Sequence, residues 1–207
     1  MVHIELKSPL SESDVRKLNV GDIVYISGYV FTGRTGIYTL LVEKGVKPPI
    51  DFTQINVMWH LGPVMKKIRE RWKVVAAGAT TSIRFEKWAP ELIRRFKIRA
   101  LIGKGSMGPE TLRACKEVGC VHLGKVSMAT GALYMKGIEK VIGGYFLELG
   151  TSEALWVLKV KKLGPLVVTM DAKGNDLYKD IDNYVLNEGY LKAQKKLGIE
   201  GFEYAKT

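Results

Sequence analysis

Apolar positions change their spacing close to residue 80, and the change separates two kinds of structure. Upstream, Ile23-Val24-Tyr25-Ile26-Ser27-Gly28-Tyr29-Val30-Phe31 is dense in β-branched and aromatic side chains, which predicts a strand. It runs directly into Thr32-Gly33-Arg34-Thr35-Gly36, delivering an arginine on a glycine-flanked loop. After the Lys47-Pro48-Pro49 break, Ile55-Asn56-Val57-Met58-Trp59 reads as a second strand, ending at His60-Leu61-Gly62-Pro63-Val64. The span 20–77 is therefore expected to be mainly β. Ahead of it, Ser11 with Asp14 three positions on has the chemistry of a capped short helix, and Gly21-Asp22 that of a turn.

From residue 83 the period becomes helical. Trp88, Leu92, Ile93 and Phe96 recur on one face, Pro90 lies near the first turn, and Ser82 is placed to cap. A strand is predicted at Ala100-Leu101-Ile102, then a helix from near Pro109 that buries Leu112, Cys115 and Val118 and stops at Gly119. Cys120-Val121-His122-Leu123 gives a short strand, and Gly124 to Thr130 a turn into a small-residue helix through Ala132-Leu133-Tyr134-Met135. Val141-Ile142 and Leu166-Val167-Val168-Thr169-Met170 supply further strands, and the segment from Asp171 to Asp176 a turn before a charged, helix-prone end. Alternating strands and helices argue for βαβ units and an α/β fold, β-rich in its first half. We read one domain over 1–178 and a tail over 179–207, with no internal repeat.

Composition narrows the function. At 207 residues, 46% hydrophobic and 26% charged, the chain is long enough to bury one good core or two small ones, and one compact domain with tails is expected. No window approaches 18 consecutive apolar residues and the start lacks a signal pattern, so a cytoplasmic protein is expected. Cys115 and Cys120 form neither a CxxC pair nor a complete metal site and read as buried reduced thiols. His3, His60 and His122 are too scattered for a local zinc motif. A net charge of +11 raises nucleic-acid binding, yet the cations are spread along the chain. The densest run, Lys66 to Lys73, reads as a basic hairpin or a solvated face and carries no RNA- or DNA-reading motif. Mixed lysine and glutamate is also ordinary on thermophile surfaces.

Two short runs carry the candidate chemistry. Gly78-Ala79-Thr80-Thr81-Ser82-Ile83-Arg84 follows the apolar Val74-Val75-Ala76-Ala77, and Gly103-Lys104-Gly105 follows Ala100-Leu101-Ile102, so both sit at carboxyl ends of strands. Open α/β sheets bind ligands there. Three hydroxyls, glycine-exposed amides and two fixed cations suit a small anion such as a carboxylate. A phosphate loop is rejected, because GxxxxGK[ST] needs glycine at 98 and a hydroxyl at 105, which hold Ile98 and Gly105. Taken alone, Gly103-Lys104-Gly105 is as well read as a turn with a surface lysine, and one of the three hydroxyls as a helix cap. Arg84 in a first helical turn opposes the dipole, so its placement asks for a reason. His60 is read first as a structural histidine and second as a polar group of the site; His122 is read as core, and Asp171 and Asn175 as holding a turn.

These runs, with Gly103-Lys104-Gly105-Ser106-Met107, Phe146-Leu147-Glu148-Leu149-Gly150 to Leu155-Trp156, and Gly164-Pro165-Leu166-Val167-Val168 to Asp171-Ala172-Lys173-Gly174-Asn175, resemble the β subunit of class I fumarate hydratase. They equally resemble the β subunit of L-tartrate dehydratase, in one collinear order over roughly residues 10–178. The resemblance implies a swivelling β/β/α domain and one subunit of an iron–sulfur hydro-lyase acting on a dicarboxylate. It implies a four-iron four-sulfur cluster held by a partner α subunit, where an open iron is a Lewis acid, and not by this chain. It also implies an assembly of unlike subunits, with a homodimer as the form of the isolated chain. Carried onto matching positions, Thr80 is similar to the proton-transfer residue, Arg84 and Lys104 to ligands of the substrate carboxylates, Thr81 to a further substrate contact, and Arg34 to the arginine of the first strand's loop. A neutral threonine is a poor base, so Thr80 would need neighbouring cations or backbone donors.

The chain departs from the family in three places. The family follows its loop arginine with aspartate and, four positions on, histidine, where this chain has Thr35 and Tyr38. Met128-Ala129-Thr130-Gly131-Ala132 replaces Gly-Gly-Cys-Ala-Ala, and Ala79 replaces proline. The expected activity is hydration of fumarate to malate, with tartrate dehydration to oxaloacetate or a non-catalytic anion-binding scaffold as alternatives.

Overall fold

The computed structural model describes residues 3–125 and 131–201. The turn expected up to Thr130 therefore lies, beyond Lys125, outside the described residues, as does the Met128-Ala129-Thr130 departure. Strands β1 (His3–Lys7), β2 (Ile23–Thr32), β3 (Val57–Trp59), β6 (Ala100–Gly103) and β7 (Val121–Lys125) lie side by side in that order and run parallel. Strand β9 (Leu155–Met170) is antiparallel to β7, to β8 (Ile138–Tyr145) and also to β2. The sheet thus closes into a ring of β2, β3, β6, β7 and β9. At Leu166 the closure shows in a single residue, which faces Val24 on one side and Lys125 on the other.

Side chains alternate across the strands, so the ring separates two cores. Val24, Ile26, Val57, Trp59, Ala100, Ile102, Val121 and Leu123 pack together inside it. Phe31, Met58 and Leu101 turn outward into a second cluster with α2 (Thr35–Tyr38), α3 (Ala89–Phe96) and α4 (Pro109–Val118). Connections β3–α3–β6 and β6–α4–β7 join parallel neighbours, as βαβ units do. The molecule is a mixed α/β protein.

Local chemistry explains most boundaries. Ser11 and Asp14 form a reciprocal capping box on α1 (Glu12–Arg16). Pro90 and Pro109 open α3 and α4, and Gly119 ends α4 in the left-handed region at φ 79°. The basic run is the hairpin of β4 (Val64–Ile68) and β5 (Arg71–Ala76), with Arg69 at φ 53° in its turn. Past α5 (Gly131–Lys136) and β9, the described chain is helical through α6 (Leu177–Tyr184), a π-turn and α7 (Tyr190–Leu197). Among the described residues no helix is long and apolar enough to cross a membrane.

Three expectations are corrected. Residues 35–43 are helical, α2 continuing as a π-turn over Thr39–Glu43, although they start inside the glycine-flanked loop read at 32–36 and lie in a span expected to be mainly β. The helical period from 83 resolves into a 3₁₀ turn, Ser82–Phe85, and a separate α3. None of the three hydroxyls caps either element: Thr81 and Trp88 stand at the cap positions without a side-chain bond, and the Ser82 hydroxyl turns inward.

The cap of α4 comes from Glu86, between the 3₁₀ turn and α3. Its carboxylate accepts from the amides of Gly108 at 2.7 Å, Glu110 at 3.0 Å and Thr111 at 3.0 Å, and from the Thr111 hydroxyl. The amides that start α4 are thereby satisfied within the chain. Glu86→Ala is expected to destabilise the fold by about 2 kcal/mol, read as a lower urea midpoint at unchanged m-value.

Candidate active site

Main-chain bonds lace the two glycine-bearing runs together at the carboxyl ends of β3 and β6. His60 N–H donates to Ile102 O at 2.8 Å, Thr80 N–H to His60 O at 2.7 Å, Lys104 N–H to Thr80 O at 3.2 Å and Ser82 N–H to Lys104 O at 3.0 Å. Thr81 bridges Lys104 in parallel and Ala79 bridges Leu61. Thr80, Thr81 and Lys104 therefore share one short crossing, all half-buried. Neither threonine hydroxyl is tied down by a side-chain bond among the described residues.

Arg34 stands at the end of β2, across Gly62 from this crossing. A methyl on Gly62 would lie 2.6 Å from Arg34 Nη1, so that glycine leaves the room the guanidinium occupies. Glu153 holds Arg34 at 3.2 Å and also accepts from Gly36 N–H at 2.9 Å, fixing the start of α2. Arg34 Nε is buried without a partner. Arg84 is exposed on the 3₁₀ turn and lines a groove with Lys87, Glu91, Arg94 and Glu110.

Lys125 is a further cation at this end, and sequence reasoning passed over it. Gly103 pairs with Gly124, so Lys125 follows at the neighbouring strand end, next to Lys104. Its Nζ lies 3.8 Å from the Tyr134 ring centroid and 5.6 Å from that of Trp59, whose Nε1 is buried without a partner. Burial lowers the Lys125 pKa to about 8. The only sequence signal is a lysine closing an apolar strand.

Beneath the crossing, polar side chains run through the core. Tyr38 Oη lies 2.8 Å from His60 Nε2, His60 Nδ1 2.9 Å from Ser82 Oγ, Ser82 Oγ 3.0 Å from His122 Nε2, and His122 Nδ1 2.6 Å from Thr169 Oγ1. Tyr38, His60, Ser82 and His122 are fully buried. Burial, reinforced by the neighbouring His122, holds the His60 pKa well below the usual imidazole range, and burial alone holds His122 at about 3. Both rings are neutral. His60 is thus a satisfied histidine of the core. Tyr38 is fully buried and stacks on Phe85 and Trp88.

Asp171 holds the turn read from the sequence, accepting from Lys173 N–H at 2.9 Å and from Asn175 N–H at 3.0 Å. Among the described residues no three His, Cys, Asp or Glu side chains gather as metal ligands. Cys115 and Cys120 are free and buried in the helix-side core. The residues described here do not fit an iron–sulfur cluster, which takes three or four converging thiolates where this chain has two cysteines.

A family model for the fumarase C-terminus matches residues 1–181. The chain belongs to the fumarase C-terminus family. It is 42% identical over 186 residues to a Geobacillus stearothermophilus protein provisionally named a class I fumarate hydratase; the match covers 89% of this chain and 35% of that protein. The chain therefore spans about a third of that relative's length. A Methanocaldococcus jannaschii protein, provisionally named the β subunit of L(+)-tartrate dehydratase, is 37% identical over 92% of this chain and 96% of its own length. The L(+)-tartrate dehydratase β subunit of Escherichia coli K12 is 33% identical over 83% and 85%.

This fumarase C-terminus chain places Arg34, Lys104 and Lys125 at the carboxyl ends of β2, β6 and β7 of one ring, an arrangement that attracts anions. The depressed Lys125 pKa carries a sign that can be checked. The unfolded side chain keeps its proton to the ordinary 10.5, so folding is opposed by Lys125 below 8 and the opposition fades as pH rises from 8 to 10.5. Wild-type stability is expected to rise over that window relative to Lys125→Met, as read from urea midpoints between pH 7 and 10.5. Parallel curves for the two proteins would exclude the assignment.

Proposed function

We propose that this chain is the β subunit of a two-subunit hydro-lyase that interconverts fumarate and malate, active when joined to an α-type partner. The observation that carries the reading is the main-chain crossing that brings Thr80 and Thr81 beside Lys104 at a strand-end site rich in fixed cations, in a chain of the fumarase C-terminus family. In this reading Thr80 moves the proton, Lys104 and Arg84 hold the carboxylates, Thr81 adds a hydrogen bond, and Arg34, braced by Glu153, forms the wall at β2. Cations beside Thr80 lower the cost of its alkoxide, which makes a weakly basic hydroxyl competent. The four-iron four-sulfur cluster belongs in this reading to the partner, where it supplies Lewis acidity. This chain's share is binding, orientation and the proton. The closed ring is the body of the swivelling domain, and the helices after residue 178 are an appendage to it.

Dehydration of tartrate to oxaloacetate is the second reading, favoured by nearly end-to-end matches with proteins named as β subunits of that enzyme. Anaerobic co-expression with a cluster-bearing α-type protein tests both. Malate formed from fumarate supports the first reading and oxaloacetate formed from tartrate the second. Neither product, in a complex whose cluster is spectroscopically intact, would leave only a non-catalytic anion-binding subunit.

A further inference from the structure

The polar residues under the crossing have one consistent proton arrangement. It is set at the far end, where the Thr169 hydroxyl lies 3.3 Å from the His122 carbonyl and can only donate to it. Thr169 Oγ1 must then accept from His122 Nδ1–H. His122 Nε2 is left as an acceptor and takes the Ser82 proton. Having given its only proton, Ser82 accepts from His60 Nδ1–H. His60 Nε2 accepts from Tyr38 O–H, and the chain ends. Each donor is used once and no ring nitrogen is left unpaired. Reversing the direction would strand the Tyr38 proton and take the Thr169 proton from its carbonyl.

We propose that Tyr38, His60, Ser82, His122 and Thr169 form one polarised hydrogen-bond chain that fixes the posture of the Thr80-Thr81 loop. On the reading of the site given above, Ser82, His122 and Thr169 are positioning residues for the dicarboxylate. The chain joins α2, the end of β3, the loop itself, β7 and β9, so a single hydroxyl on the loop is held against both sides of the ring. Ser82 is the adjacent residue to Thr81, and its two bonds leave its side chain one orientation. Space for it comes from Gly103, where a methyl would fall on Ser82 Oγ and 3.0 Å from His60 Nδ1. Neutral rings are a condition of the scheme, since an imidazolium has no acceptor, and burial of both rings meets it.

The test begins on the full-length chain alone, uniformly labelled with ¹⁵N. Long-range ¹H–¹⁵N spectra are expected to show both His60 and His122 protonated on Nδ1 at neutral pH, with His3 identified by His3→Gln. In Ser82→Ala the amides of residues 79–84 are expected to lose order, and in the complex with the α-type partner kcat should fall about 10- to 100-fold with KM held within about twofold. Thr169→Val, distant from the loop, should act in the same direction by removing the end that sets the polarity, and Thr169→Ser should restore both readouts. An Nε2–H tautomer at either ring, or a Ser82→Ala loop as ordered as wild type, overturns the proposal; so does an unchanged kcat in Ser82→Ala. A wild-type complex inactive on fumarate and tartrate counts against the hydro-lyase reading, while tautomers and loop order still decide on the hydrogen-bond chain.

Discussion

Thr80→Ala is expected to lower kcat of the assembled protein by about 10²- to 10⁴-fold, the range for removing a general acid–base group. The fold should barely notice, because the crossing is held by the Thr80 amide and carbonyl and both survive in alanine. Gel filtration of the complex and urea unfolding of the chain would show this as unchanged assembly and a midpoint within about 0.5 kcal/mol of wild type. Thr80→Ser keeps the hydroxyl and should keep most of the activity. Lys104→Ala separates binding from chemistry: loss of a charge-assisted contact to a carboxylate should raise KM by about 10- to 100-fold, with a smaller change in kcat. A Thr80→Ala complex that turns over at the wild-type rate would remove Thr80 from the proton transfer.

The second large effect is structural. Gly103→Ala puts a methyl onto Ser82 Oγ and against His60 Nδ1, atoms fixed by bonds on their other sides. Gly103 has no left-handed backbone, so the cost is steric and polar. Overpacking of about 1–3 kcal/mol adds to weakened buried hydrogen bonds, for a total near 3 kcal/mol and a Tm lowered by roughly 6–12 °C. Calorimetry on the isolated chain reads it directly. Gly78→Ala is the control, since a methyl there meets nothing within 4 Å. Equal Tm values for the two variants would mean that Ser82 has slack to move.

Elements whose signal is local were legible. The β-branched run of β2, the capping box of α1 and the proline-to-glycine span of α4 each carry their own boundaries in sequence. The meeting of the two glycine-bearing runs was legible only in part: Gly103-Lys104-Gly105 does end a strand of the ring, but the run from Gly78 follows β5 of the separate β4–β5 hairpin and is brought to β3 and β6 by main-chain bonds to His60 and Lys104. Residues 35–43 were not legible, since Gly33 and Gly36 speak for a loop. Their helix is fixed by Glu153, 117 positions from the amide it binds, and by the stacking of Tyr38. The Ser82 hydroxyl looked like a cap because a local reading cannot tell an inward side chain from an outward one. Its histidines lie 22 and 40 positions away. Lys125 escaped notice for the same reason: the aromatic rings that bury it belong to other elements.

The pairing of β9 with β2 also sets the order in which this protein can be built. Strand β2 leaves the ribosome more than a hundred residues before its antiparallel partner. Until then the parallel strands form an open sheet with unpaired edges, the situation in which nascent β structure is slow to settle and prone to wrong pairing. Thr80 and Lys104 are synthesised early, but the strand that carries Thr169 and shuts the ring comes late. The main-chain crossing of Thr80 and Lys104 needs nothing from β9, but the ring around it does, so a chain cut short of β9 would carry the crossing without the Thr169 end that holds His122.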